Sequence, residues 1–238
     1  INDLLNFSRY QSGQQKLERS ICVLDDLLER ARGRYADAAG NIAYVYNAAI
    51  PARPTDAKAD WRNVLPGDRS DLIWQGAVDY AALPRLKNPA SGWIYNSNNT
   101  PFTAAGAGSD LAPDAFSPVM GIELKQTNRS WRAYKLLSEA SVLDRATLEA
   151  IKYDTGYERE GYVDRLFDAL EGMKAEGKLA EARDLLLGWD FTADNRGKAD
   201  AIALLMIRDF MSADYNNKPF PDVAEKLQAA ADHLTDHS

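Results

Sequence analysis

The chain has 238 residues, 45% hydrophobic and 26% charged, with one cysteine and a formal net charge of −7. This length and balance describe a globular protein able to bury its own core, and a lone thiol excludes an internal disulfide. A negative chain without a dense Lys/Arg cluster suits no phosphate backbone, so no nucleic-acid partner is expected. The longest apolar run, Ala201 to Ile207, is far too short to span a bilayer.

In chain order, Leu17, Ile21, Leu24, Leu28 and Ala31 alternate spacings of four and three, one apolar stripe of a helix. Cys22 falls within it and reads as a buried structural thiol. After Gly33 the pattern changes. Arg34-Tyr35-Ala36 and Ile42-Ala43-Tyr44-Val45-Tyr46 are rich in β-formers and flank a connection containing Gly40, which predicts a β-hairpin. From Pro51 to Gly92, prolines alternate with Trp61, Trp74 and Tyr80, which predicts an ordered loop packed on a sheet. A tight turn at Asn88–Gly92 leads into a predicted short strand, Trp93–Asn96, then the polar tract Ser97–Pro101 and an Ala/Gly-rich loop reaching Met120.

From Asn128 the chain reads as helical. Asp144 is placed to cap a helix through Leu148 and Ile151; Tyr162, Leu166, Leu170 and Met173 mark the next. Gly177 is expected to break it before a helix carrying Leu179, Ala182 and Leu186. Ala199–Met211 is apolar nearly all round and so central, and Asp222 caps a last helix with Val223, Leu227, Ala231 and Leu234 facing inward. The expected layout is α+β: a β-sheet core with packed loops over 1–127 and a helical region over 128–238.

The usual catalytic constellations are missing from the sequence. Both histidines, His233 and His237, sit near the C-terminal end of the last helix, a poor place for a rigidly held base. No Cys/His metal spacing, phosphate loop or dinucleotide glycine pattern occurs. What stands out is Asn96-Ser97-Asn98-Asn99. Its composition suits a turn, because asparagine side chains bond to nearby backbone. The other reading is an oxyanion donor, because a carboxamide N–H donates without titrating.

The surroundings of that tract resemble one family. Tyr35 to Tyr44 is similar to the ADxxGNIxY hairpin of penicillin acylases (penicillin amidases, N-terminal-nucleophile hydrolases). Ile50-Pro51-Ala52-Arg53, then Leu65-Pro66-Gly67 with Trp74, then Asn88 to Pro101 resemble further elements in the family's order. Asn128-Arg129 with Arg132, and Trp189-Asp190, resemble two more. The Asn88–Pro101 block is the most specific.

The resemblance implies a partial αββα sandwich of the N-terminal-nucleophile type, α-rich with a few antiparallel strands. It also implies an exported, self-processed hydrolase of N-acyl amides, such as a β-lactam side chain or an acyl-homoserine lactone. Asn98 would complete the oxyanion hole, Arg129 would orient both the nucleophile and Asn98, and Arg132 would have a surface or supporting role. Asp110, in Ser109-Asp110-Leu111, would be a calcium ligand; the chemistry itself needs no cofactor. The nucleophilic Ser would open a segment upstream of the hairpin. The sequence begins at Ile1 without an initiator Met, a boundary expected from processing, proteolysis or cloning. The chain is therefore expected to be an internal part of the catalytic subunit, inactive alone, with the remaining acylase segments as partners. A non-catalytic α-rich interaction module, or a dead homologue, is the alternative.

Overall fold

A computed structural model describes residues 39–46, 49–55 and 58–236. The expected first helix with Cys22, the Arg34–Ala36 limb of the hairpin and His237 lie outside these residues.

The extended run after Gly40 forms strand β1 (Ala43–Val45). Its partner among the described residues is β2 (Arg85–Lys87), antiparallel, with Ala43 opposite Lys87, Tyr44 opposite Leu86 and Val45 opposite Arg85. This corrects the reading of 51–92 as loop throughout. Three residues, two of them cationic, carry no alternation to detect. Their pairing is set by the next residue, Asn88, which takes the left-handed region at φ 48. Asn88 donates its backbone N–H to the Ile42 carbonyl at 2.9 Å and accepts the Ile42 N–H on Oδ1 at 2.9 Å. A side chain thus extends the ladder by one rung. The expected strand Trp93–Asn96 differs too: it is extended but in no ladder, with a single cross-link from Tyr95 N–H to the Ala104 carbonyl at 3.0 Å.

Six α-helices follow among the described residues: α1 (Asn128–Glu139), α2 (Arg145–Lys152), α3 (Tyr162–Gly172), α4 (Gly177–Leu187), α5 (Asp200–Tyr215) and α6 (Val223–Asp236). Their starts follow from capping chemistry, which satisfies otherwise unpaired N–H groups. Thr127 and Ser130 form a reciprocal capping box on α1. Asp144 Oδ1 accepts from Thr147 N–H at 2.8 Å, and Asp222 Oδ1 from Glu225 N–H at 2.8 Å. Gly177 does not end a helix as expected. It is the first residue of α4, at φ 57, and the break lies in the four residues before it. A glycine tolerates that backbone at either end of a helix, so its presence alone does not say which.

The main core lies among the last four helices. Val163, Leu166, Phe167 and Leu170 of α3 meet Ala182 and Leu186 of α4, Ile202, Ala203, Met206, Ile207 and Phe210 of α5, and Leu227 and Ala230 of α6. As the apolar pattern of residues 199–211 implied, α5 is central, packing against α3 and α6. Trp189 is buried beside Phe167 and Phe191, and its indole N–H donates to Thr192 O (3.0 Å) and to the buried Asp200 carboxylate (3.2 Å). In the loop half, Leu83, Phe102, Ala104 and Ala105 are also buried. No described helix is long and apolar enough to cross a membrane.

Candidate active site around Asn98

The three asparagines divide their work. Asn96 Oδ1 accepts the Asn98 backbone N–H at 2.9 Å. Asn99 Oδ1 accepts Ser97 N–H at 2.8 Å, while its Nδ2 donates to the carbonyls of Thr100 and Thr103, each at 3.1 Å. These two side chains build the turn, as asparagines in turns commonly do. Asn98 stands at its apex, exposed, in the left-handed region at φ 59. Its side chain is left out of the turn and is met by Arg129.

Arg129, one residue into α1, donates through Nη2 to Asn98 Oδ1 and, at 3.2 Å, to the Ser97 carbonyl. A guanidinium has donors only, so it selects the oxygen end of the carboxamide. The Nδ2 hydrogens are thereby turned away from the helix, and no acceptor for them occurs among the described residues. Drawing electron density toward the oxygen also strengthens those N–H groups as donors. The arrangement presents a rigid neutral donor pair to whatever acceptor lies beyond the turn.

An aromatic triangle holds the turn and α1 together. Trp93 lies 5.9 Å from both Tyr95 and Tyr134, centroid to centroid, and Tyr95 lies 6.3 Å from Tyr134. Tyr95 OH donates to the Ser130 carbonyl at 3.1 Å. Tyr134 OH donates to Asp110 Oδ2 at 3.0 Å, and Asp110 Oδ1 accepts the backbone N–H groups of Ala105 (2.7 Å) and Gly106 (3.1 Å). Burial, reinforced by the Asp110 hydrogen bond, pushes the Tyr134 phenol up to about 12, so it stays a donor. Burial likewise raises Tyr95.

Asp110 therefore works as a loop clasp: both its oxygens face donors. Among the described residues no group of three or more His, Cys, Asp or Glu side chains is arranged to hold a metal ion. This donor set does not by itself make a calcium site.

Gly106 closes the same loop at φ 89, and a Cβ there would stand 2.6 Å from the Trp93 ring. Gly106→Ala is expected to cost about 1–3 kcal/mol through overpacking and backbone strain. Calorimetry and Trp fluorescence would register it as a lower melting temperature and a displaced indole; a wild-type profile would contradict the packing described.

On its opposite side α1 is gripped by the segment that follows α2. Arg132 pairs with Asp154 through Nε (2.7 Å) and Nη2 (2.9 Å), and with Glu158 through Nη1 (2.8 Å). Lys135 reaches the other Glu158 oxygen at 3.1 Å. Asn128 is buried and engages the Glu158 backbone at both ends, Nδ2 to the carbonyl at 2.5 Å and Oδ1 from the N–H at 3.0 Å.

The sequence reading paired Asn98 with Arg129, and the structure brings the two together. Tyr134, Asn128, Asp154 and Glu158 join the surroundings of the pair without a sequence expectation for that role. Residues 128, 132 and 135 do share one helix face by spacing, and acids at 154 and 158 were a legible counterpart.

A model of the penicillin amidase family matches residues 33–236. The chain belongs to that family. The match to the penicillin amidases includes the asparagine tract, Arg129 and the six described helices. Among curated proteins, the chain is 28% identical over 163 residues to the penicillin acylase 2 proenzyme of Pseudomonas sp. (strain SE83), covering 68% of this chain and 19% of that one. It is 40% identical over 67 residues to the penicillin G acylase of Escherichia coli, covering 28% of this chain and 8% of the relative. A 35-residue stretch, 15% of the chain, is 66% identical to the alginate biosynthesis sensor protein KinB of Pseudomonas aeruginosa, 6% of whose length it covers. Among solved structures, the thermostable penicillin G acylase from Alcaligenes faecalis superposes with a TM-score of 0.51 at 22% identity. That likeness covers 81% of this chain and 35% of the other, and shows the shared fold. The chain thus spans less than a fifth of the length of these curated relatives.

Proposed function

We propose that this chain is part of an amide hydrolase acting on N-acyl substrates, with Asn98 as the side-chain donor of its oxyanion hole and Arg129 as the group that aims it. The observation that carries the reading is the Arg129–Asn98 contact, which leaves the carboxamide N–H pair free of acceptors among the described residues. Penicillin amidase membership supports the reaction class. The small share of the curated relatives that the chain spans supports a nucleophile supplied from outside these residues.

In the proposed reaction an N-terminal Ser hydroxyl attacks the acyl carbonyl while its own α-amine takes the proton. An α-amine titrates at ~7.7–8.0, so enough is neutral near pH 7–8 for it to act as base. The tetrahedral oxyanion accepts from Asn98 Nδ2 and from a backbone N–H. Collapse expels the amine, which takes the proton back from the α-ammonium. Water, deprotonated by the Ser α-amine, then attacks the acyl-Ser ester; collapse breaks the bond to Ser Oγ, which takes the proton back as the acid leaves. Asn98 donates throughout and never changes charge, so it works at any pH at which the amine is neutral.

β-Lactam side chains and acyl-homoserine lactones are the substrate classes proposed. The partners are the other acylase segments, the setting is the periplasm or exterior, and any calcium, with Asp110 as a ligand, would be structural. The test is hydrolysis by the complete gene product of chromogenic acyl amides differing in acyl length and aromaticity. Turnover of at least one class is expected. No turnover of any would replace this reading with a non-catalytic binding homologue.

A further inference from the structure

Arg129 aims the Asn98 amide, but Arg129 itself is an exposed side chain whose described polar contacts are all with the turn. Its accuracy therefore depends on where α1 begins. Two groups of contacts set that. On the turn side, Tyr95 and Tyr134 tie α1 to the loop. On the far side, polar contacts reach 154–158: the Arg132 and Lys135 ion pairs and the two-ended Asn128 bond to Glu158.

Of these, the Asn128 bond is the stiffest. It is buried, it uses both ends of one carboxamide, and it lies on the residue directly before Arg129. A side chain satisfied at both ends by one backbone unit reproduces the pairing of two strands, which fixes translation and rotation together. Deleting it would leave the Glu158 N–H and carbonyl without their partner and let the first turn of α1 shift. Errors of about 1 Å in a reacting group can cost ~10²-fold in rate.

We infer that Asn128 is a positioning residue: its two-ended bond to the Glu158 backbone fixes the first turn of α1 and thereby, through Arg129, the direction of the Asn98 amide. This rests on the amide-hydrolase reading for its catalytic consequence, though not for its geometry. Arg132 supports the same grip from the next turn, where Gly156 leaves room for its guanidinium: a Cβ at 156 would stand 2.6 Å from Arg132 Nε.

The test uses the complete protein. Asn128→Ala is expected to lower kcat about 10-fold or more with KM within about threefold, because ground-state binding is untouched. In an Arg129→Ala background the same change is expected to cost less than about twofold, since residues acting through one another are not additive. Equal losses in both backgrounds would show a general structural role and overturn the inference. Hydrogen exchange of the 95–104 peptide gives a readout independent of turnover: Asn128→Ala should speed it while α3–α6 keep wild-type protection, and unchanged exchange would overturn the inference. If Asn128→Ala fails to fold, Arg132→Gln, which loosens the same grip from a partly exposed position, must show a smaller loss of the same kind; wild-type kcat and loop exchange there would overturn it as well. Wild-type turnover in Asn98→Ala would remove the amide-hydrolase reading alone. Faster loop exchange in Asn128→Ala would in that case still uphold the positional coupling.

Discussion

Asn98→Ala in the complete protein is expected to lower kcat by ~10²–10³-fold, the usual loss for one oxyanion donor. KM should change little, and the melting temperature should fall by about 2–4 °C at most, the cost of an alanine in the left-handed backbone that Asn98 occupies. The side chain is exposed and takes no part in building the turn, which rests on Asn96 and Asn99. Its only described partner is Arg129, a surface contact of small worth to stability. The expected pattern therefore separates the three asparagines. Asn99→Ala removes bonds to Ser97, Thr100 and Thr103 and should lower stability as well as rate. Steady-state kinetics with a chromogenic acyl amide, beside thermal melts, would check both. Wild-type turnover in Asn98→Ala would take Asn98 out of the mechanism.

Phe167→Ala is expected to destabilise the protein by about 3–5 kcal/mol, the range for a large aromatic removed from a packed core. Phe167 is 1% exposed, and its ring lies 4.8 Å from Phe191 and 6.4 Å from Trp189, centroid to centroid. Phe167 belongs to α3 and both neighbours to the link between α4 and α5, so the cavity would loosen both at once. For a domain of this size the loss is roughly 6–20 °C in melting temperature. Calorimetry would measure it, and a shift below about 2 °C would mean that this cluster is not the core described. The effect reaches the site indirectly. Tyr157 N–H bonds to the Phe191 carbonyl at 2.7 Å, next to Glu158, which grips α1.

The helical half was the more legible part of the sequence. Capping residues such as Asp144 and Asp222 and apolar periods in α3, α5 and α6 are local signals, and the structure follows them. The β-containing half depends on pairing between residues about 40 apart, which no local pattern encodes. Hence β2 was read as loop, and Trp93–Asn96, with β-formers at three of its four positions, turned its rings toward α1 instead of joining a ladder. At the site, composition left Asn98 open between turn and donor; the structure shows the turn, and the donor role is the proposal. The tract is a turn, and its apex residue is the one whose amide the turn does not use. The resemblance of motifs named Arg129, but not the polar grip behind it. That grip joins α1 to a segment some 25 residues on, and side-chain contacts at such separation are visible only in three dimensions.

The most direct test of the account is an intact-mass measurement on the complete gene product, before and after brief exposure to a reactive acyl ester. The account predicts separate processed chains, one beginning with Ser, and an added acyl mass on that chain alone. A single uncut chain that gains no acyl group would contradict it.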